Sequence, residues 1–300
     1  MKNRFRASLL ALVLASSFAL AEPQAVATAP PPFQVEHSAV LTIASATLKR
    51  SYELYVKLPP GYDKPENAQR RYPVLYLNDG PYTFQVASGV TRVPFNHGTF
   101  EEFVLVGVSY ALGEDAVTSR ERDLTPLVDI RGKPHATGGA PEYLRFLKDE
   151  AMPLVETTYR IDPNRRTLAG QSFGGLFGIW VLFNQPELFQ NYILTSASLW
   201  YDQRAMFDAE AAYAKAHADL KANLYMAIGS TEHPGGCGDA PAQCPTVDMV
   251  AQQAAMLKRL GARRYKNLKL HGKVVDGAFH TTTFPVGLLW ALQDLYLARK

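Results

Sequence analysis

Residues Gly170-Gln171-Ser172-Phe173-Gly174-Gly175 follow the apolar run Thr167-Leu168-Ala169 and precede the helix-like stretch Leu176-Phe177-Gly178-Ile179-Trp180-Val181-Leu182. A strand, a tight turn carrying one serine, and a helix make a nucleophile elbow, in which the hydroxyl stands exposed at the end of a sheet. The glycines two residues to either side of Ser172 remove the β-carbons that would block so sharp a reversal. Such a turn demands a strand that ends where a helix begins, which is the grammar of an α/β sheet. By chance alone the five-residue pattern arises in roughly one chain in ten of this length. The assignment therefore rests on a strand before it, a helix after it, and an acid and a histidine in that chain order beyond it.

Those neighbours are present. Alternating runs at Val40 to Ser45 and Tyr52 to Leu58 read as an antiparallel, half-exposed edge ended by Pro59-Pro60-Gly61. Unbroken apolar runs at Val74–Leu77, Phe103–Val108, Thr167–Gly170, Tyr192–Leu194, Leu224–Ile228 and Leu268–Val275 read as central parallel strands covered on both faces. Helical patterns over Pro141–Tyr159, Leu176–Phe183, Gln203–Ala218, Val247–Leu260 and Phe284–Ala298 lie between or after them, with Pro153 expected to kink or divide the first. The fold class is therefore α/β, a mostly parallel doubly wound sheet with an antiparallel N-terminal edge, whose ligands bind beyond the carboxyl ends of its strands.

Residues 1–21 carry Lys2, Arg4 and Arg6, an apolar run and then Ala19-Leu20-Ala21, the pattern of a cleavable secretory signal. Export to the periplasm or beyond is expected, with cleavage after Ala21 and no membrane insertion. Residues 22–36, with Pro30-Pro31-Pro32, read as a flexible lead-in, and residues 37–300 as one domain. Lys and Arg total 31 against 28 Asp and Glu, and three of the basic residues belong to the signal, so the remainder is balanced. Nucleic-acid binding, which shows as a clustered basic excess, is not expected. The two cysteines, Cys237 and Cys244, share one Gly/Pro/Ala-rich loop, and in an oxidising compartment a disulfide is the expected state.

A serine hydroxyl attacks an acyl carbon only when a base takes its proton, usually a histidine steered by a carboxylate. Of the four histidines after Ser172, only His280 sits in a loop beyond the last strand, in Asp276-Gly277-Ala278-Phe279-His280-Thr281. His217 falls in a helical pattern and His271 on a strand. For the acid, Leu224–Ile228 runs into Gly229-Ser230-Thr231-Glu232, which makes Glu232 the first choice; Asp248, at a helix start, and Asp202 are alternatives. The oxyanion needs two N–H donors. Phe173, which opens a helix, supplies one, and Tyr82, after the proline of Asn78-Asp79-Gly80-Pro81, is the candidate for the other. The long stretch Ala111–Gly138 reads as a loop, and its Arg120 and Arg122 are candidate substrate-binding residues, against a reading in which they pair with neighbouring acids.

The runs Tyr72-Pro73-Val74-Leu75-Tyr76-Leu77-Asn78-Asp79-Gly80, Gly138-Gly139-Ala140 with Tyr143 to Glu150, Tyr159 to Phe177, and Ser196-Ala197-Ser198-Leu199-Trp200 resemble the esterase-D-like "putative esterase" family. Within it they are most similar to the periplasmic siderophore esterases that open the trilactone of ferric enterobactin and its glucosylated forms. The resemblance implies an α/β-hydrolase fold, ester hydrolysis without metal or other cofactor, and Ser172 and His280 as nucleophile and base. It also implies a small-molecule ester substrate such as a ferric siderophore. Two points differ within that family: Pro81 stands where some relatives supply the second oxyanion N–H, and some members work with a weak or absent acid. An acyltransferase, a feruloyl-type esterase and a non-catalytic siderophore-binding protein are the rival readings.

Overall fold

The computed structural model describes residues 32–129, 135–238 and 244–298, so the signal and most of the lead-in lie outside the described residues. The chain divides into two units, 1–34 and 35–300, and the fold belongs to the second. Eight strands make one sheet: β1 (Ser38–Ser45), β2 (Arg50–Lys57), β3 (Tyr72–Leu77), β4 (Val104–Val108), β5 (Ile161–Gln171), β6 (Asn191–Thr195), β7 (Ala222–Gly229) and β8 (Leu268–Val275). Their spatial order is β1-β2-β4-β3-β5-β6-β7-β8. β1 and β2 pair antiparallel, β2 meets β4 antiparallel, and every later pairing is parallel.

Because side chains alternate across a strand, successive residues feed two different cores. Val74 and Tyr76, Tyr192 and Leu194, and Leu224 and Met226 join the cluster that holds Tyr143, Phe146, Phe177 and Met256. Leu75 and Leu77, Ile193 and Tyr225 join the opposite cluster with Phe84, Phe95, Phe284 and Leu288. The helices behind these clusters are α1 (Gly80–Asn96), α2 (Ala116–Leu124), α3 (Ala140–Phe146), α4 (Met152–Thr158), α5 (Phe173–Asn184), α6 (Tyr201–Ala216), α7 (Met249–Arg263) and α8 (Thr283–Tyr296). Burial on both faces explains why the central strands read as continuous apolar runs. β8 departs from the expectation of a central strand: it is the sheet's last strand and alternates between partly buried and exposed residues.

Pro153 divides its helix as expected, and the device is a π-turn over Leu147–Ala151 in which Met152 N–H reaches back to Leu147 O. Two helices correct the sequence reading. α1 covers Pro81 and Tyr82 and has no counterpart among the helical patterns of the sequence, for Gly89, Pro94 and the β-branched Val86, Val90, Thr91 and Val93 are poor helix formers. It forms because Phe84, Ala87, Thr91 and Phe95 make one buried face, and Gly80-Pro81 was the available start signal. α2 lies inside the stretch read as a long loop; the Asp115 carboxylate caps it by accepting from the amides of Val117 and Thr118.

Candidate active site

β5 ends at Gln171 and α5 begins at Phe173, leaving Ser172 alone in the turn with φ 57° and ψ −113°. A non-glycine residue there costs of order 1–3 kcal/mol and persists only where its surroundings over-determine it. They do: Ser172 N–H donates to Thr195 O at 3.1 Å, and its carbonyl accepts from Leu176 and Ser198. A β-carbon on Gly170 would lie 2.4 Å from the backbone of Gly174, and one on Gly175 would lie 3.0 Å from Ala197. Gly170→Ala is therefore expected to lower stability by at least about 1–3 kcal/mol, since backbone has no rotamer with which to yield. Denaturant unfolding checks this, and an unchanged midpoint would contradict the packing argument.

Glu232 and His280 come together because the loops after β7 and β8 are bonded to each other. Thr231 Oγ1 donates to Ala278 O at 2.8 Å, Gly277 N–H to Ser230 Oγ at 2.9 Å, and a β-carbon on Gly229 would lie 2.2 Å from Ala278 O. The Gln171 side-chain amide donates to the His280 carbonyl, joining the elbow to the same loop. His280 Nδ1 stands 2.7 Å from Glu232 Oε2. Glu232 is fully buried, and its other oxygen accepts from Ser196 Oγ at 2.7 Å, Gly229 N–H at 2.8 Å and Thr283 Oγ1 at 2.8 Å.

Burial alone would raise the Glu232 pKa, but the hydrogen bonds from His280, Ser196 and the Gly229 amide outweigh it and hold the carboxyl below its ordinary 4.5. A carboxyl depressed in the folded state contributes stability that is complete above its unfolded value and is lost as pH falls through the folded one. The melting temperature of the natural protein should therefore fall more steeply below about pH 4.5 than that of Glu232→Gln. Parallel acid profiles for the two proteins would contradict this.

Ser172 and His280 open onto one pocket of about 320 Å³, walled by Ser198, Trp200, Cys244, Pro245, Thr246, Val247 and Met249. The Ser172 hydroxyl rests 3.2 Å from Ser198 Oγ. Cys237 and Cys244 are joined in a disulfide, which ties this wall to the loop that carries Glu232. Asp248 caps α7 by accepting from the Ala251 amide at 2.8 Å, His271 stacks on Tyr225, and His217 on Tyr213. Asp202 sits in a left-handed turn at the start of α6.

One expectation is corrected. Tyr82 N–H donates to Asp79 O at 3.0 Å within the first turn of α1, so it is not free to serve an oxyanion. The donors of that turn which the helix does not use are the amides of Asp79 and Gly80. Phe173 opens α5, placing its N–H at the positive end of the helix dipole. Arg120 is paired with Asp79 at 2.7 Å, and Arg122 with Glu114 and, at 2.8 Å, with Asp123, so both guanidiniums have neighbouring acids as partners. Ser196, Ser198, Trp200 and Thr283 were not given roles from sequence. Among the described residues no group of three or more acidic, histidine or cysteine side chains could hold a metal ion, and no helix is long and apolar enough to cross a membrane.

The family model described as "Putative esterase" matches residues 45–293. Ferri-bacillibactin esterase BesA of Bacillus subtilis is 30% identical over 183 residues, which cover 57% of this chain and 62% of the relative. The siderophore enterobactin esterase of Emericella nidulans is 30% identical over 178 residues, 53% of this chain and 57% of the relative. The chain thus spans about three fifths of the length of these relatives. The crystal structure of an IroE-like serine hydrolase from Shewanella oneidensis superposes with a TM-score of 0.74 at 25% identity, covering 86% of this chain and 80% of that one. With a strained serine at the elbow, a histidine and buried glutamate beside it, and a family match over most of its length, the chain belongs to the putative esterase family and is homologous to siderophore esterases.

Proposed function

We propose that the protein is an exported serine carboxylic ester hydrolase that acts through an acyl-enzyme on Ser172 and takes a siderophore lactone as substrate. The observation that carries this reading is the Glu232–His280 pair at 2.7 Å, opening onto the same pocket as a serine held in a strained turn. In the reaction, Ser172 Oγ bonds to the ester carbonyl carbon as its proton passes to His280 Nε2. Glu232 fixes the other ring nitrogen as the donor and stabilises the imidazolium. Collapse breaks the bond to the alkoxy oxygen, which takes the proton from His280 and leaves as an alcohol. Water then repeats the cycle on the acyl-enzyme and releases the acid.

The pocket is at the small end of the ligand-site range, which suits one acyl arm of a larger ester, and Trp200, Pro245, Val247 and Met249 offer it an apolar wall. Export is supported by the pattern of residues 1–21 and by the Cys237–Cys244 disulfide, which persists in oxidising compartments. Siderophore esterases among the relatives support the substrate class.

The test is turnover of ferric enterobactin against simple acetyl and feruloyl esters, followed by mass. Stepwise addition of water to the trilactone at a higher kcat/KM than for the small esters is the expected result. Preference for the small esters removes the siderophore assignment, and transfer of the acyl group to an added alcohol in place of water makes the protein an acyltransferase.

A further inference from the structure

The turn after β6 meets both ends of the reacting set. Ser196, in a left-handed conformation at φ 46°, sends its hydroxyl to Glu232 Oε1. Two residues on, Ser198 faces the nucleophile: its N–H donates to the Ser172 carbonyl at 3.1 Å, and its Oγ lies 3.2 Å from Ser172 Oγ. Backbone bonds set the register of this turn against the elbow, with Ser172 N–H on Thr195 O at 3.1 Å and Ser196 N–H on Ala227 O at 2.8 Å. Ser198 is 1% exposed and lines the same pocket as Ser172 and His280.

A buried hydroxyl must place its single hydrogen on an acceptor. Among the described residues, the acceptor that Ser198 Oγ meets is Ser172 Oγ. Were Ser172 the donor instead, the Ser198 hydrogen would be left without a partner and the Ser172 hydrogen would be turned away from its base. Donation from Ser198 satisfies both groups: it fills one lone pair of Ser172 Oγ and leaves the Ser172 hydrogen for His280.

The worth of that bond changes along the reaction. Before attack, Ser172 Oγ is an alcohol oxygen and a good acceptor, so the bond stabilises the resting enzyme about as much as the transition state for acylation. In the acyl-enzyme the same atom is the alkoxy oxygen of an ester, a weak acceptor because its lone pair is shared with the carbonyl. Once water has added to the acyl carbon, the bond from that carbon to Oγ breaks; its electron pair returns to Oγ, which takes its proton from His280. The Ser198 bond is strongest at that moment, and only an interaction that strengthens between ground state and transition state raises a rate. We infer that Ser198 is a catalytic donor that speeds deacylation by stabilising Ser172 Oγ as the acyl group departs. This rests on the esterase reading.

The experiment compares Ser198→Ala with the natural protein on a nitrophenyl ester, whose leaving group makes acylation fast, and with a fluorophosphonate probe. The variant keeps the backbone bond to the Ser172 carbonyl and loses only the hydroxyl. Its kcat should fall about 10–100-fold, the worth of one hydrogen bond to a charged oxygen. Its kcat/KM, which reports acylation alone, should stay within about threefold, so KM falls together with kcat. Nitrophenol should appear in a burst of one equivalent per enzyme, and rapid quenching should show the acyl mass on Ser172 during steady turnover. Phosphonylation, which reads only the attack by Ser172, should stay within about threefold of the natural rate.

A fall in kcat/KM as large as the fall in kcat would place Ser198 in acylation or in support of the elbow and overturn the inference. Phosphonylation slowed by the same factor as kcat would do so too, as would a kcat within about threefold of the natural value. Absence of both ester turnover and phosphonylation in the natural protein sinks the esterase reading instead, which keeps the two failures apart.

Discussion

Ser172→Ala is expected to lower kcat on a chromogenic ester by at least about 10⁴-fold, with KM little changed and the fold intact. In serine proteases the triad works as a unit, and removal of its nucleophile leaves only what binding and the oxyanion hole supply. Here the same separation follows from the geometry. Ser172 contributes one hydroxyl contact to its surroundings, the 3.2 Å approach to Ser198 Oγ, whereas its backbone is held by bonds that alanine keeps. The strain at φ 57° is a property of the turn and is shared by serine and alanine alike. Unfolding should therefore shift by no more than about 1 kcal/mol, the ordinary net worth of one hydrogen bond. A fluorophosphonate should add its phosphonyl mass to the natural protein and not to the variant. Retained turnover in Ser172→Ala would end the acyl-enzyme mechanism, and covalent labelling at another residue would relocate it.

What the chain reveals without a structure follows from how local the governing physics is. The elbow is legible because its requirement is steric and confined to a few consecutive residues: glycine at 170 and 174, a strand before and a helix after. Glu232 and His280 are legible because each sits in the first loop residues beyond a strand, and parallel strands deliver their carboxyl ends to one edge. Arg120 and Arg122 were open to two readings because a charged helix of nine residues looks the same whether it faces a ligand or its own acids. Only the fold shows that Asp79, 41 residues away, stands opposite Arg120. Tyr82 was misplaced for a related reason: counting past Pro81 locates an N–H but not the helix that uses it. Ser196 and Thr283 were silent because each is an ordinary hydroxyl residue whose role appears only when three chain segments meet at Glu232 Oε1.

Those hydroxyls decide the second large effect. Glu232→Gln is expected to lower kcat by about 10⁴-fold, the size found when a serine protease triad carboxylate becomes an amide. Oε1 of Glu232 is engaged by Ser196, the Gly229 amide and Thr283, all presenting hydrogens to it. A glutamine in the same place must therefore keep its carbonyl oxygen there and turn its NH₂ toward His280. An NH₂ facing Nδ1 requires that nitrogen to accept, which forces the ring proton onto Nε2, the atom that must receive the proton from Ser172. The base is then blocked rather than merely loosened. This predicts a larger loss for Glu232→Gln than for Glu232→Ala, in which water can enter and the ring is free to choose its tautomer, although the alanine leaves a cavity and lowers stability more. Steady-state kinetics on the two variants, with a melting curve for each, checks the order. If glutamine were tolerated within about tenfold, His280 would be working as part of a dyad, and the three donors at Oε1 would serve folding alone.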